Sequence, residues 1–117
     1  GGGGSPPRSG IDALVRSLRF HPAARAELVA AAKHHEQERP GYGSRFREEA
    51  RTVVEQAEAL SRSATREEGY PDGLEIRAFR FRVFPYSLIV AVEQNALLVL
   101  AVAHARREPG YWRDRLP

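Results

Sequence analysis

The sequence predicts an α+β domain, a helical hairpin packed on one face of a four-stranded, mostly antiparallel sheet, in the order β-α-α-β-β-β. Three observations carry that prediction. Between residues 22 and 60, two stretches repeat apolar residues at helical spacing, with Pro40-Gly41-Tyr42-Gly43 between them. From Arg77 the apolar period shortens to two. The chain then passes through two near-continuous apolar runs, residues 86–92 and 96–103, of strand rather than helix length.

Each element follows from local residues. Leu14, Leu18 and Phe20 alternate with Arg16 and Arg19 nearby, which predicts a short, half-buried strand. Pro22 opens a helix in its first turn, where a missing N–H costs nothing. Ala24, Leu28, Ala31, Ala32 and His35 recur at helical spacing until Pro40-Gly41 stops the run. The second helix places Phe46, Ala50, Val53, Val54, Ala57 and Leu60 on one face and charged residues on the other. So short a break makes the pair an antiparallel hairpin. Residues 61–73 are polar and rich in turn formers, and a loop is expected there. On the next strand Arg77, Phe79, Phe81 and Val83 share one face. Phe84-Pro85-Tyr86 and then Gln94-Asn95 separate the last three strands, and two-residue connections of this kind force antiparallel pairing.

Composition removes several functions. With 117 residues the chain has the length of one domain, and 42% hydrophobic residues allow it a core. No cysteine is present, so disulfides, thiol catalysis and thiolate metal sites drop out. His34 and His35 are neighbours that point to different sides of a helix, and His21 and His104 are distant in sequence. Neither a metal nor a cofactor is therefore expected. The glycines at 1–4 lack the preceding strand and following helix of a phosphate loop. The longest apolar run falls far short of the roughly 20 residues of a membrane helix. No charged leader followed by an apolar stretch opens the chain, so a cytoplasmic protein with no membrane contact is expected.

The net charge of +3 hides an uneven distribution. Arg77, Arg80 and Arg82 lie on or near one strand, and Arg106, Arg107, Arg113 and Arg115 follow the last one against only Glu108 and Asp114. Lys33 is the only lysine, so part of this is a preference for arginine on a solvated surface. A strand that ends in His104 and then delivers two arginines, Tyr111 and Trp112 to one edge is nevertheless the place where function is expected.

Order and punctuation together resemble the RelE/ParE toxin superfamily of type II toxin–antitoxin systems over roughly residues 18 to 116. The matching stretches are Phe20-His21-Pro22, Pro40-Gly41-Tyr42-Gly43, Ile76-Arg77, Phe84-Pro85-Tyr86, the strand ending at His104, and Arg107-Glu108-Pro109-Gly110-Tyr111-Trp112. The resemblance implies a growth-inhibiting toxin that associates with a cognate antitoxin, and it leaves the molecular target open. In the ParE branch, known from plasmid stabilization, the target is DNA gyrase and the C-terminal segment is implicated. Here Arg106, Arg107, Tyr111, Trp112, Arg113 and Arg115 would be the target-binding residues, of types that dominate protein interfaces. The antitoxin would be ParD-like, in a hetero-oligomer, and no enzyme activity is needed.

The RelE branch implies instead a ribosome-dependent, metal-independent endoribonuclease that cuts mRNA. Such chemistry needs a base for the 2′-hydroxyl, an acid for the leaving 5′-oxygen and cations against the phosphorane. The unperturbed imidazole titrates near neutrality, which makes a histidine at position 104 the candidate for acid or base. Arg77 with Arg106 or Arg107 has the fork that clamps a phosphate, and Tyr111 or Trp112 could stack on a base. The lysine-rich helix surface of the RelE-like nucleases is missing. The ParE-like reading asks less of the same residues and is preferred. Plainer roles also exist: His104 as a strand-end cap, Tyr111 and Trp112 as core covers, and the whole chain as a non-toxic adaptor domain.

Residues 1–12, which begin GGGGSPPRSG, read as a flexible Gly-rich linker or engineered fusion junction ahead of a toxin domain at 13–117. Deleting residues 1 to 10 is expected to leave the melting temperature unchanged. Amide exchange in that stretch as slow as in the strands would show that it belongs to the fold.

Overall fold

His21 sets the start of the first helix. Its backbone is extended (φ −60°, ψ 141°), as suits a residue before proline, and its Nδ1 accepts the Ala23 N–H at 3.0 Å. Pro22 takes the first helical position of α1, Pro22–Glu38. The computed structural model describes residues 17–59, 65–67, 75–93 and 96–117. Before α1 lies β1, Ser17–Phe20. After it come α2 (Tyr42–Glu58), β2 (Thr65–Glu67), β3 (Glu75–Arg80), β4 (Tyr86–Val92), β5 (Ala96–His104) and a 3₁₀ turn at Arg113–Arg115.

The hairpin between the helices is closed by a carboxylate. Glu36, near the end of α1, accepts the N–H groups of Gly41 and Gly43, each at 3.1 Å, and so caps the start of α2. Gly41 needs to be glycine because the chain reverses there at φ 90°. Gly43 needs to be glycine for a different reason. A Cβ on it would lie 2.8 Å from the Ala32 carbonyl oxygen and 2.9 Å from Glu36 Cβ, so its absence lets the helices cross closely.

The sheet order is β1-β5-β4-β3-β2, with β1 parallel to β5 and every other pair antiparallel. The helices cover one face, where Phe46, Ala50, Val53 and Ala57 of α2 and Ala24, Ala31 and Ala32 of α1 meet Phe79, Leu88, Val90, Leu97 and Val99. The opposite face is also apolar. Ile76, Ile89, Ala91 and Leu100 lie there under Trp112, with Tyr111 and Leu116 packed alongside. Strands covered on both faces explain the near-continuous apolar runs at 86–92 and 96–103. The β4–β5 register shifts between Ile89↔Ala101 and Val90↔Val99, which leaves Leu100 as a bulge without a partner.

Three local expectations are corrected. The stretch 61–73 is not a loop throughout, because Thr65–Glu67 pairs with β3 and adds a fifth, edge strand. The β3–β4 connection is five residues long, 81–85, rather than two. Val83 accordingly leaves the sheet face and stands 75% exposed. The cause is Glu49 of α2, whose carboxylate accepts the consecutive N–H groups of Arg82, Val83 and Phe84 and draws them out of strand pairing. Leu14, Leu60, the Gln94-Asn95 turn and the linker at 1–12 lie outside the described residues.

The helix crossing yields a stability prediction. Gly43→Ala should lower the unfolding free energy by about 1–2 kcal/mol, because the Ala32 carbonyl is backbone and cannot move aside, although alanine is the better helix former. Urea denaturation checks it, and a stabilised variant would show that the helices separate at little cost.

Candidate functional site

The C-terminal segment is built onto the sheet by a few backbone bonds and one large side chain. After His104 the chain turns, with the Ala105 N–H bonded to the Pro85 carbonyl at 2.8 Å and the Arg107 N–H to His104 O at 3.0 Å. Gly110, at φ 76°, reverses the chain, and Trp112 then drops into the apolar face, 3% exposed. Trp112 is therefore core rather than surface. Loss of a buried ring of that size typically costs about 3–5 kcal/mol.

The segment is tied down by Glu27 of α1. β1 ends at Phe20, and its last link to β5 is the His21 N–H to the Val99 carbonyl, 2.8 Å. Beyond that point Glu27 takes the place of a strand. Its Oε1 accepts the Val102 N–H at 3.0 Å and Arg115 Nη1 at 3.1 Å, while Oε2 accepts Tyr111 Oη and Arg115 Nη2, both at 2.9 Å. Arg115 Nη1 also reaches the Leu100 carbonyl, 2.8 Å away, at the residue that the β4–β5 register skips. The two charged side chains are only 19% and 14% exposed. Burial, the Glu27 hydrogen bond and its charge push the Tyr111 phenol up to about 12, against the pull of Arg107 and Arg115.

Outside this lock the surface is cationic. The Arg107 guanidinium lies 3.7 Å from the Tyr111 ring centroid and Arg115 lies 5.2 Å from it, so the ring is engaged by two arginines. Arg106 and Arg107 are exposed. A shallow groove separates this edge from the strand ends, lined by Ala78, Ser87, Ala103, His104, Arg107 and Tyr111 among others.

His104 stands across from Tyr86 on β4, with the two rings nearly perpendicular and 4.9 Å apart. Its Nδ1 accepts the Arg106 N–H at 3.0 Å, so the neutral ring carries its proton on Nε2. Behind Tyr86 sits His35, whose Nε2 is 3.2 Å from Tyr86 Oη and whose ring packs against Phe46 and Phe84. Burial holds the His35 pKa below its ordinary value. His34 and His104 add to the depression and Glu38 opposes it. Burial likewise raises the Tyr86 phenol.

The structure thus brings His104, Arg106, Arg107 and Tyr111 to one edge and leaves Arg77 elsewhere. Arg77 is opposite Val90 and His104 opposite Tyr86, four residues along β4, which is about 13 Å at strand rise. Arg77 is also ion-paired with Glu75. Among the described residues no cluster of three His, Asp or Glu side chains could hold a metal, and no helix is long and apolar enough to cross a membrane. Sequence reasoning missed Glu27 altogether. Its signal was there: an acid on the helix stripe made by Ala24, Leu28 and Ala31, where a charge has to find a partner.

Comparison with known proteins is consistent with this geometry. The family model described as the ParE toxin of type II toxin-antitoxin system, parDE, matches residues 18–109. Among solved structures, a chain from the chromosomal ParDE TA system from P. aeruginosa superposes with a TM-score of 0.64. It is 16% identical, and the match covers 79% of this chain and 98% of that one, a likeness of fold. Comparison with curated proteins gave no match.

His35 makes stability depend on pH. Its folded pKa is depressed, so the unfolded chain binds more protons as pH falls below the ordinary value of 6.5. The contribution of the neutral ring is complete above that value and is lost as pH falls through the lowered one. Urea midpoints taken at successive pH values from neutral downward should therefore decline more steeply for the wild type than for His35→Gln. Equal slopes would mean that the ring pays no penalty for charging.

Proposed function

We propose, because the chain belongs to the ParE toxin family of type II toxin–antitoxin systems, that it arrests bacterial growth by binding DNA gyrase through its C-terminal segment and is neutralised by a ParD-like antitoxin. The observation that carries the choice of target is the state of the arginines. Arg106 and Arg107 stand exposed on a segment fixed to the sheet, and Arg107 is stacked on Tyr111. A preorganised arginine edge beside an aromatic ring is suited to a protein partner. The nuclease reading has less support. Arg77 is engaged by Glu75 and remote from His104, the Tyr111 phenol is bonded to Glu27, and His104 Nδ1 is taken up by the Arg106 amide. Of the six residues proposed for the target, Arg106, Arg107 and Arg113 are exposed, while Trp112 and Arg115 fix the segment from beneath.

The test uses point substitutions, since truncation before Glu108 would also remove Trp112 from the core and Arg115 from Glu27. The purified chain is expected to inhibit supercoiling by gyrase, and the double variant Arg106→Ala, Arg107→Ala to inhibit it at least tenfold less, roughly the loss of a central interface residue. His104→Ala should weaken growth arrest only in part. An unaffected gyrase, together with mRNA cleavage that falls about 10²- to 10⁴-fold in His104→Ala, would transfer the assignment to the ribonuclease.

A further inference from the structure

We propose that Glu27 is a positioning residue for the C-terminal segment, holding it through Arg115 and Tyr111 so that Arg106 and Arg107 are displayed as a fixed cationic edge. The proposal rests on the reading of that segment as the working surface. It goes beyond it by placing the control of the surface on the first helix, 84 to 88 residues away in sequence.

The geometry is that of a full acceptor. A carboxylate has about four acceptor positions, and here each oxygen receives two donors. The donors come from two places that the carboxylate joins: the Val102 amide on the open edge of β5, and the Tyr111 and Arg115 side chains of the segment. Arg115 completes the loop by bonding the carbonyl of Leu100, the residue that the β4–β5 register shift skips. Arg107 then lies on the Tyr111 ring, so the orientation of the exposed guanidinium is inherited from the phenol that Glu27 holds. Trp112 and Leu116 anchor the segment by burial, but burial alone is non-directional. The charged, four-way contact is what fixes its angle.

Glu27→Gln removes this function with little change of shape. Whichever way its amide is turned, an NH₂ faces two donors. The variant should keep the core, with amide exchange in α2, β3 and β4 as in the wild type. Exchange at Val102 and at residues 111–116 should quicken by roughly tenfold or more. The Tyr111 phenol, followed by NMR, should titrate below its present value of about 12, since two of the causes that raise it come from Glu27. Inhibition of gyrase supercoiling should weaken by roughly tenfold, with Arg106 and Arg107 still in place. Arg115→Lys keeps the charge but loses the fork, and it should move the same readouts if Glu27→Gln does not fold. Unchanged exchange and an unchanged Tyr111 titration would overturn the proposal. So would a loosened segment that inhibits as strongly as the wild type. If the wild type fails to inhibit gyrase, the assigned target falls, while exchange and titration still decide whether Glu27 holds the segment.

Discussion

The constraint on which the rest of the structure depends is the short partner of β5. β1 covers β5 only from Ala96 to Val99, and β5 continues to His104. An unpaired stretch beside the core exposes backbone groups that must be satisfied, and an open edge invites another chain to pair with it. A carboxylate placed there answers both problems. Glu27 takes the Val102 N–H, and its own charge is neutralised by a bidentate arginine. Such a buried pair adds little net stability over an apolar substitute, but removal of one member typically costs about 3–5 kcal/mol. That asymmetry commits the chain to bringing Arg115 back across the sheet, and with it Trp112 over Ile76, Ile89 and Leu100.

The same device recurs at two other reversals among the described residues. Glu36 holds the N–H groups of Gly41 and Gly43 where α1 turns into α2. Glu49 holds those of Arg82, Val83 and Phe84 where β3 turns into β4. In each case a helix contributes one glutamate to donors that secondary structure leaves unpaired. The charge in this chain is thus divided by task. Glutamates from the helices close the backbone, while arginines face solvent or stack on rings, as Arg39 and Arg45 do on Tyr42 and Arg107 does on Tyr111, with Arg115 the one drawn into the Glu27 pair.

The fold was readable from the sequence where one period ruled. Phe46, Ala50, Val53 and Ala57 are buried as a helical stripe, and the order β-α-α-β-β-β holds apart from the added edge strand β2. It was not readable where a distant side chain overrode local pattern. Val83 continues the alternation of Phe79 and Phe81, yet it is drawn out by Glu49, 34 residues earlier. The three residues of β2, Thr65-Arg66-Glu67, lie in a stretch of sequence that offers no apolar period to detect. For the site, proximity in sequence gathered His104, Arg106, Arg107 and Tyr111 correctly to one edge. Arg77 was added on residue type alone, and strand register separates it. Glu27 is invisible to this kind of reading, because its partners lie 75 to 88 positions away.

Trp112 shows why core and surface cannot be separated in this segment. Tyr111, Trp112 and Arg113 are consecutive, and one faces Glu27, the next fills the core and the third lies exposed. A turn that alternates in this way has no freedom to rotate, because any rotation that improved the reach of Arg113 would lift Trp112 from Ile89 and Leu100. Rigidity of this origin reduces the entropy lost when the exposed side chains are captured by a partner. Under the proposed function, affinity at this edge would therefore depend on residues beneath the contact surface as well as on those in it. In the proposed binding the arginines would supply the contacts, and the Trp112 burial and the Glu27–Arg115 pair would determine how well those contacts are aimed.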